Sequence, residues 1–418
     1  METLLAKLAP PQAAMLRAIS DHTRVTGAAV YLVGGAVRDW ILGAPSIDDL
    51  DFSVDGDSVG FVRDLQREHG GELLVHEKFR TARWVCQGAS VDVAMSRAEF
   101  YARPGALPTV SPAPIEVDLR RRDFAANAIA CRLSDGVVVD PFQGRRDLEH
   151  RLLRGLHEHS FVDDPTRMLR GARYAARLGF AFDEGTLEAI QRGVPHLRAL
   201  SGERIKYDFE LIFRDREPAA ALRMLREFGV FGALGVPMPD PDKLDERFAR
   251  IWSVFTKGEY VLDALDLAPD RLLNAAGWGA LIYAQGQLAV RRWLELAPFE
   301  HDVREALIAA GALSTMSAQM FHAPTSRQSA LLHDFSGLTL LFGHLFDGSV
   351  LKRRAIHCEW KDWRWVRPTI NGEDLRARGV PPGPEYRRIF DALRDAWLDG
   401  RVLSLADEQR LLDEILAR

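Results

Sequence analysis

Cysteine is nearly missing from this chain. There are three in 418 residues, Cys86, Cys131 and Cys358, and they stand far apart with no CxxC spacing. That pattern argues against a disulfide framework and a cysteine-built zinc site, and it suits a reducing compartment. Long apolar runs are missing too, none approaching the ~18 residues that a membrane span needs. The amino terminus, METLLAKLAPPQAAMLRAIS, is broken by Lys7, Pro10 and Pro11 and so does not read as a signal peptide. A cytoplasmic protein without a membrane partner is the expectation. Lysine is rare, and the net charge of −5 weakly opposes a nucleic-acid partner. The sum hides a crowd of arginine between Arg120 and Arg177, the side chain whose fork fits phosphate oxygens.

What is present is the composition of a soluble globular protein, 47% apolar and 27% charged. The length exceeds one compact core, so two to four domains are expected. Strand-like runs (AAVYLVGG, DLDFSV, ARWVCQGASVDVAM, GVVVDP) are confined to residues 28–140. Beyond 150 the apolar residues recur at three- and four-residue spacing, which predicts helices. The fold class is therefore α+β. A small mixed-sheet head over 1–150 precedes an all-helical neck (151–235), body (236–347) and tail (348–418). Residues 101–114 carry four prolines and read as a long loop inside the head.

Two short patterns carry chemistry. In DLDFSV, strand alternation puts Asp49 and Asp51 on one face and Leu50 and Phe52 on the other. Paired carboxylates repel unless a cation sits between them, and magnesium is commonly held by a few carboxylates plus substrate phosphates. Asp92, between Val91 and Val93, could join them if its strand is a neighbour. Just upstream, LVGGAVRD reads as a strand, a tight turn and a helix start, whose free amides suit a phosphate, with Arg38 adding charge. A phosphate cradle one helix away from a carboxylate strand is the layout of metal-dependent nucleotidyl transfer.

The stretch LVGGAVRDWILGAPSIDDLDFSV resembles the first signature of the class II tRNA nucleotidyltransferases and bacterial poly(A) polymerases. Their heads belong to the polymerase-beta-like nucleotidyltransferase superfamily. Further signatures follow in order: DLRRRDFAANAIA (118–130), VDPFQGRRDLEHRLLR (139–154), DDPTRMLRGARYAARLGF (163–180) and ERIKYDFELI (203–212). The resemblance implies that Asp49 and Asp51 hold catalytic metals, two magnesium ions, and that Gly34, Gly35 and Arg38 bind the triphosphate. Arg122, Asp123 and Asn127 would meet the nucleotide and its ribose. Asp164 and Arg167 would read the base edge of CTP or ATP, with Arg170 and Arg173 turned towards the phosphates. Glu203 and Arg204 would buttress that helix. The plain alternative is that Asp164 caps a helix before Pro165 and the arginines form a solvated face. If Asp164 reads the base instead, Asp163 would do the capping.

The implied reaction is attack of an RNA 3′-hydroxyl on the α-phosphorus of CTP or ATP, with release of pyrophosphate. HEKFRTARW (76–84) resembles the corresponding stretch of CCA-adding enzymes, which favours maturation of the tRNA 3′ acceptor end. A-only or CC-only addition, a poly(A) polymerase and a non-catalytic RNA-binding protein are the alternatives. In LKRRAIHCEWKDWRWVRP (351–368), Lys352, Arg353 and Arg354 lie among tryptophans. Such a stretch could bind tRNA by stacking and phosphate contact or pack its tryptophans in a core. His333-Asp334 stands without a convincing upstream histidine, so no hydrolase module is expected.

Overall fold

The computed structural model describes residues 2–238, 240–257, 265 and 267–417, the side chain of Lys78 excepted. The chain divides into two compact units, Met1–Leu234 and Gly235–Arg418. Head and neck thus share one unit, and body and tail share the other.

The first unit is built on a mixed sheet. Its strands are β1 (Ala29–Val33), β2 (Asp51–Asp55), β3 (Glu72–His76), β4 (Thr81–Cys86) and β5 (Ala89–Met95). A hairpin of β6 (Arg97–Phe100) and β7 (Thr109–Pro112) follows, then β8 (Ala130–Arg132) and β9 (Val138–Val139). Seven of them form one sheet in the order β3-β4-β5-β2-β1-β8-β9. Central β1 is apolar and buried along most of its length, as a strand covered on both faces must be. β2 lies antiparallel to β1 and parallel to β5, so Asp51 stands opposite Val33 on one side and Asp92 on the other.

That register puts Asp51 beside the chain entering the Gly34–Gly35 bend. It also shortens the expected strand: β2 begins at Asp51, and Asp49 lies just ahead of it. At Gly34 the backbone turns to φ 71°, a region that favours glycine. The long loop expected over 101–114 is likewise shorter, because Thr109–Pro112 pairs with Arg97–Phe100. Pro112 is tolerated there at the end of a two-stranded edge.

Helices complete the unit: α1 (Gly35–Ile41), α2 (Gly144–Glu149), α3 (Thr166–Leu178) and α4 (Gly202–Phe213) are those that shape the site. The Asp140 carboxylate accepts the Gly144 and Arg145 amides at 2.6 and 3.0 Å and so starts α2. A Cβ on Gly144 would lie 2.1 Å from the Ala125 carbonyl oxygen. Gly144→Ala is therefore expected to cost about 3 kcal/mol of stability through overpacking against backbone, read as a lowered urea midpoint. On α3, Gly171 leaves room for Phe124, whose ring a Cβ would meet at 2.7 Å. Phe124 is fully buried, and this contact joins the neck helix to the head.

The second unit is helical among its described residues. In the helix α5 (Val350–Lys361), the buried face takes Lys352, Ala355, Ile356, Glu359 and Trp360, as helical spacing dictates. Lys352 is therefore not a tRNA contact. It is 2% exposed, and its ammonium lies 2.8 Å from Asp347 Oδ2 and donates to the Met316 carbonyl at 3.0 Å. Arg353 donates to the Asp347 carbonyl, whereas Arg354 is exposed. The tryptophans divide: Trp360 is core and Trp365 is 64% exposed. His333 Nδ1 lies 3.1 Å from Glu359 Oε1. No helix among the described residues is long and apolar enough to cross a membrane.

Candidate active site

A cavity of about 560 Å³ in the first unit is walled by the Gly34–Gly35 bend, Asp49, Asp51, the Arg121–Asp123 turn and one face of α3. Eight arginines and seven carboxylates line it. Most of the acids are neutralised in place. Asp39 lies 2.7 Å from Arg38, Glu99 lies 3.0 Å from both Arg97 and Arg121, Asp123 lies 3.2 Å from Arg170, and Asp164 lies 2.7 Å from Arg204. Asp48, Asp49 and Asp51 are different: among the described residues they enter no ion pair. Burial raises the Asp51 carboxyl above the usual carboxylate range, and Asp92 and Asp49 add to the rise against the opposing pull of Arg122.

Such acids in a row are a cost that a cation would offset. No group of three or more His, Cys, Asp or Glu among the described residues could hold a metal. The all-oxygen pair Asp49 and Asp51 fits a hard ion that takes its other ligands from substrate phosphates and water, as magnesium does. Asp92 is adjacent in register to Asp51 but is engaged elsewhere. Its two oxygens accept from Arg83 Nε and Nη2 at 2.9 and 2.6 Å.

The other expected residues form a chain of alternating charge. Arg38 is buried, donating through Nε and Nη2 to Asp39 and through Nη1 to Asn127 Oδ1 at 2.7 Å. The Asn127 amide donates to Asp123 Oδ1 at 3.0 Å, and Arg170 Nε donates to Asp123 Oδ2 at 3.2 Å. Burial alone would raise the Asp123 carboxyl, but Arg170 and Asn127 hold it below the usual range. Asp164 is lowered in the same way, by Arg170, Thr166 and Arg204 outweighing burial. Arg122 reaches Asp118 at 3.2 Å and comes so near Gly34 that a Cβ there would be 2.9 Å from its Nη1.

At the start of α3, Asp164 Oδ1 accepts from the Thr166 amide at 3.1 Å, so Asp164 itself covers the helix end. Asp163 belongs to the preceding turn of helix and caps nothing there. Arg167 is 2% exposed. Its Nη1 donates to Ser160 Oγ at 2.5 Å and its Nη2 to the Arg121 carbonyl at 2.7 Å, while Nε has no acceptor. Arg204 bridges Asp164 to the Gly105 carbonyl at 2.7 Å each. Glu203 is exposed in the first turn of α4, where its carboxylate engages Ser201 at the start of its own helix rather than Asp164. Arg173 donates to Asp215 at 2.7 Å.

Sequence reading missed Tyr174 and Arg177, which line the cavity with Arg170 and Arg173. Continuing the three- and four-residue spacing along α3 would have found them. Arg38 and Arg177 lie over the Tyr174 ring at 5.5 and 5.6 Å. Glu99 and Arg97, on the hairpin, carried no signal.

Asp208 of α4 is also held as a weak acid, its pKa pushed up to about 6. Burial is the main cause, with Asp164 adding to it and Arg170, Arg204 and Arg173 opposing. A raised carboxyl makes the folded state bind the proton more tightly, so its contribution is favourable below the unfolded value and is lost as pH rises. The stability of the wild type relative to Asp208→Asn should therefore fall by about 3 kcal/mol between pH 4 and 6 and then level off. Denaturant titrations of both proteins across that range check it.

Comparison with known proteins bears on this site. The Poly A polymerase head domain family matches residues 30–154, and the family described as a probable RNA and SrmB-binding site of polymerase A matches 179–237. An A-adding tRNA nucleotidyltransferase of Geobacter sulfurreducens is 34% identical over 96% of this chain and 47% of its own. The CCA-adding enzyme of Geobacillus kaustophilus is 32% identical over 93% of this chain and 92% of its own. The Thermotoga maritima CCA-adding enzyme complexed with tRNA superposes with a TM-score of 0.76 at 25% identity, covering 100% of this chain and 97% of that one. The chain spans half or less of the length of the first curated relatives that it matches. With a polymerase-beta-like head, a helical remainder and a relative matched over nearly its whole length, the chain belongs to the family of tRNA nucleotidyltransferases and poly(A) polymerases.

Proposed function

We propose that this chain is a tRNA nucleotidyltransferase that adds A, or C and A, to the tRNA 3′ end from ATP and CTP, releasing pyrophosphate. The observation that carries this reading is a row of carboxylates without ion pairs among the described residues, Asp49 and Asp51 above all, beside a glycine bend in an arginine-lined cavity. Names of relatives support the substrate class, as do relatives solved with tRNA, ATP and CTP.

In this reading Asp49 and Asp51 hold magnesium, two ions by the family resemblance. The bound metal supplies Lewis acidity at the attacking hydroxyl and the phosphoryl oxygens. The protein's own part is placement. The Gly34–Gly35 bend admits the triphosphate close to backbone, and Arg122 and Arg173 set positive charge along the wall. Asp123, fixed by Asn127 and Arg170, accepts from the ribose. Asp164 keeps Oδ2 as an acceptor, and Arg167 keeps Nε as an unspent donor. One acceptor beside one donor suits the amino group and ring nitrogen of cytosine or adenine, and opposes the reversed edge of uracil or guanine.

A narrower reading, addition of A alone, is favoured by one finding: the first three curated relatives are A-adding enzymes. HEKFRTARW favours full CCA addition instead. Labelled CTP and ATP, separately and together, should be supplied with tRNAs lacking CCA, ending in its first C, ending in CC, or complete. Both readings expect AMP on the acceptor ending in CC, and only the broader one expects CMP on the shorter acceptors. A chain that extends none of them contradicts both.

A further inference from the structure

A second cavity of about 620 Å³ adjoins the first, sharing Arg170, Arg173 and Tyr174 with it. It lies along the groove between α3 and α4, and its other wall brings Tyr207, Asp208 and Leu211. None of these three has a role in the reading above.

Two of these side chains are unusual. Tyr207 is 60% exposed, an aromatic ring at the rim of a polar cavity, and it makes no hydrogen bond among the described residues. Asp208 is 6% exposed, yet it enters no hydrogen bond or ion pair among them. Arg170, Arg173 and Arg204 act on it only through space. A buried carboxyl with no donor is costly, and here the cavity is where a donor could come from.

Nucleotidyl transfer needs two nucleosides side by side, the incoming one and the acceptor's last, so that O3′ can reach the α-phosphorus in line. The first cavity supplies one place. We propose that the second, bounded by Tyr207 and Asp208, seats the 3′-terminal nucleoside of the RNA acceptor, its base stacked on Tyr207 and its exocyclic amino group donating to Asp208. The inference rests on the transferase reading and deepens it. An aromatic face accepts any base, with a stacking contribution of about 1–3 kcal/mol, whereas the carboxylate is selective. Cytosine offers an N4 amino donor and uracil a carbonyl at the same position. The subsite therefore prefers an acceptor ending in cytidine over one ending in uridine.

The test is steady-state AMP addition to tRNAs ending in CC and in CU, by wild type, Tyr207→Ala, Tyr207→Phe and Asp208→Asn. Tyr207→Ala should raise KM for both acceptors about tenfold and leave KM for ATP unchanged, with Tyr207→Phe restoring it. Asp208→Asn should narrow the wild-type preference for the CC end. Thermal midpoints of the variants separate these effects from loss of fold. In parallel, binding of a CC-ended tRNA carrying 2-aminopurine as its last base should quench that fluorophore in wild type and not in Tyr207→Ala, with no turnover required. An unchanged acceptor KM, unchanged quenching, or a rise in KM for ATP instead overturns the subsite. A wild type that extends no acceptor contradicts the transferase reading itself, which the quenching arm does not depend on.

Discussion

Replacing Asp51 by alanine is expected to lower nucleotide incorporation about a thousandfold or more, equivalent to about 4 kcal/mol of transition-state stabilisation. The side chain stands at the first position of β2, opposite Val33 and next to the glycine bend, in no ion pair among the described residues. Its carboxyl is held above the usual carboxylate range by burial, Asp92 and Asp49 against the pull of Arg122, so its charge is not a source of stability in the free protein. Removing it should leave the fold intact or firmer while incorporation is lost, and tRNA binding should survive. Single-turnover incorporation together with a thermal melt separates these outcomes. Retained incorporation would contradict the role of the pair, and a large fall in melting temperature would make Asp51 structural.

Arg167→Ala is expected to lower kcat/KM about a hundredfold, near 3 kcal/mol, and to erase the preference for CTP and ATP over UTP and GTP. Two of the guanidinium's nitrogens are spent on Ser160 and the Arg121 carbonyl, which fixes its plane. The third, Nε, is buried without an acceptor, a state that a ring nitrogen of cytosine or adenine would relieve. Lysine cannot reproduce the planar fork, so Arg167→Lys should keep the charge and still lose selectivity. Incorporation from each of the four triphosphates, measured singly, checks both variants. Unchanged selectivity would mean that Arg167 is only a brace between α3 and the Arg121–Asp123 turn.

Much of the head was legible because its signals are local. Alternation in DLDFSV, the double glycine and the position of Arg38 follow from strand period and turn chemistry alone. The glycine of DPFQG has its reason in the structure, a 2.1 Å approach to the Ala125 carbonyl, but no sequence pattern states which backbone it meets. Where partners lie far along the chain, reading by spacing fell short. Asp92 was expected beside Asp51 only if its strand were a neighbour, which it is, yet its pairing with Arg83 depends on how β4 meets β5. Lys352 looked solvent-facing among basic residues, but its helix face is set by Asp347 and the Met316 carbonyl, five residues upstream and on another helix's end. Glu203 and Arg204 are neighbours in sequence and diverge by a helical step, so only one reaches Asp164.

The network from Asp39 through Arg38, Asn127, Asp123, Arg170 and Asp164 to Arg204 links head to neck within one unit. Its members hold each other's charges, whereas the row at Asp48–Asp51 on the same cavity has no such partners among the described residues. That contrast is the physical basis for assigning the unpaired carboxylates to a cation.

Manganese titration followed by electron paramagnetic resonance, in the presence of a non-hydrolysable ATP analogue, tests this assignment most directly. Wild type should bind the ion together with the nucleotide, and the Asp49→Ala, Asp51→Ala double variant should bind the nucleotide with the protein-held ion lost. An unchanged count of bound manganese in the double variant would contradict the account.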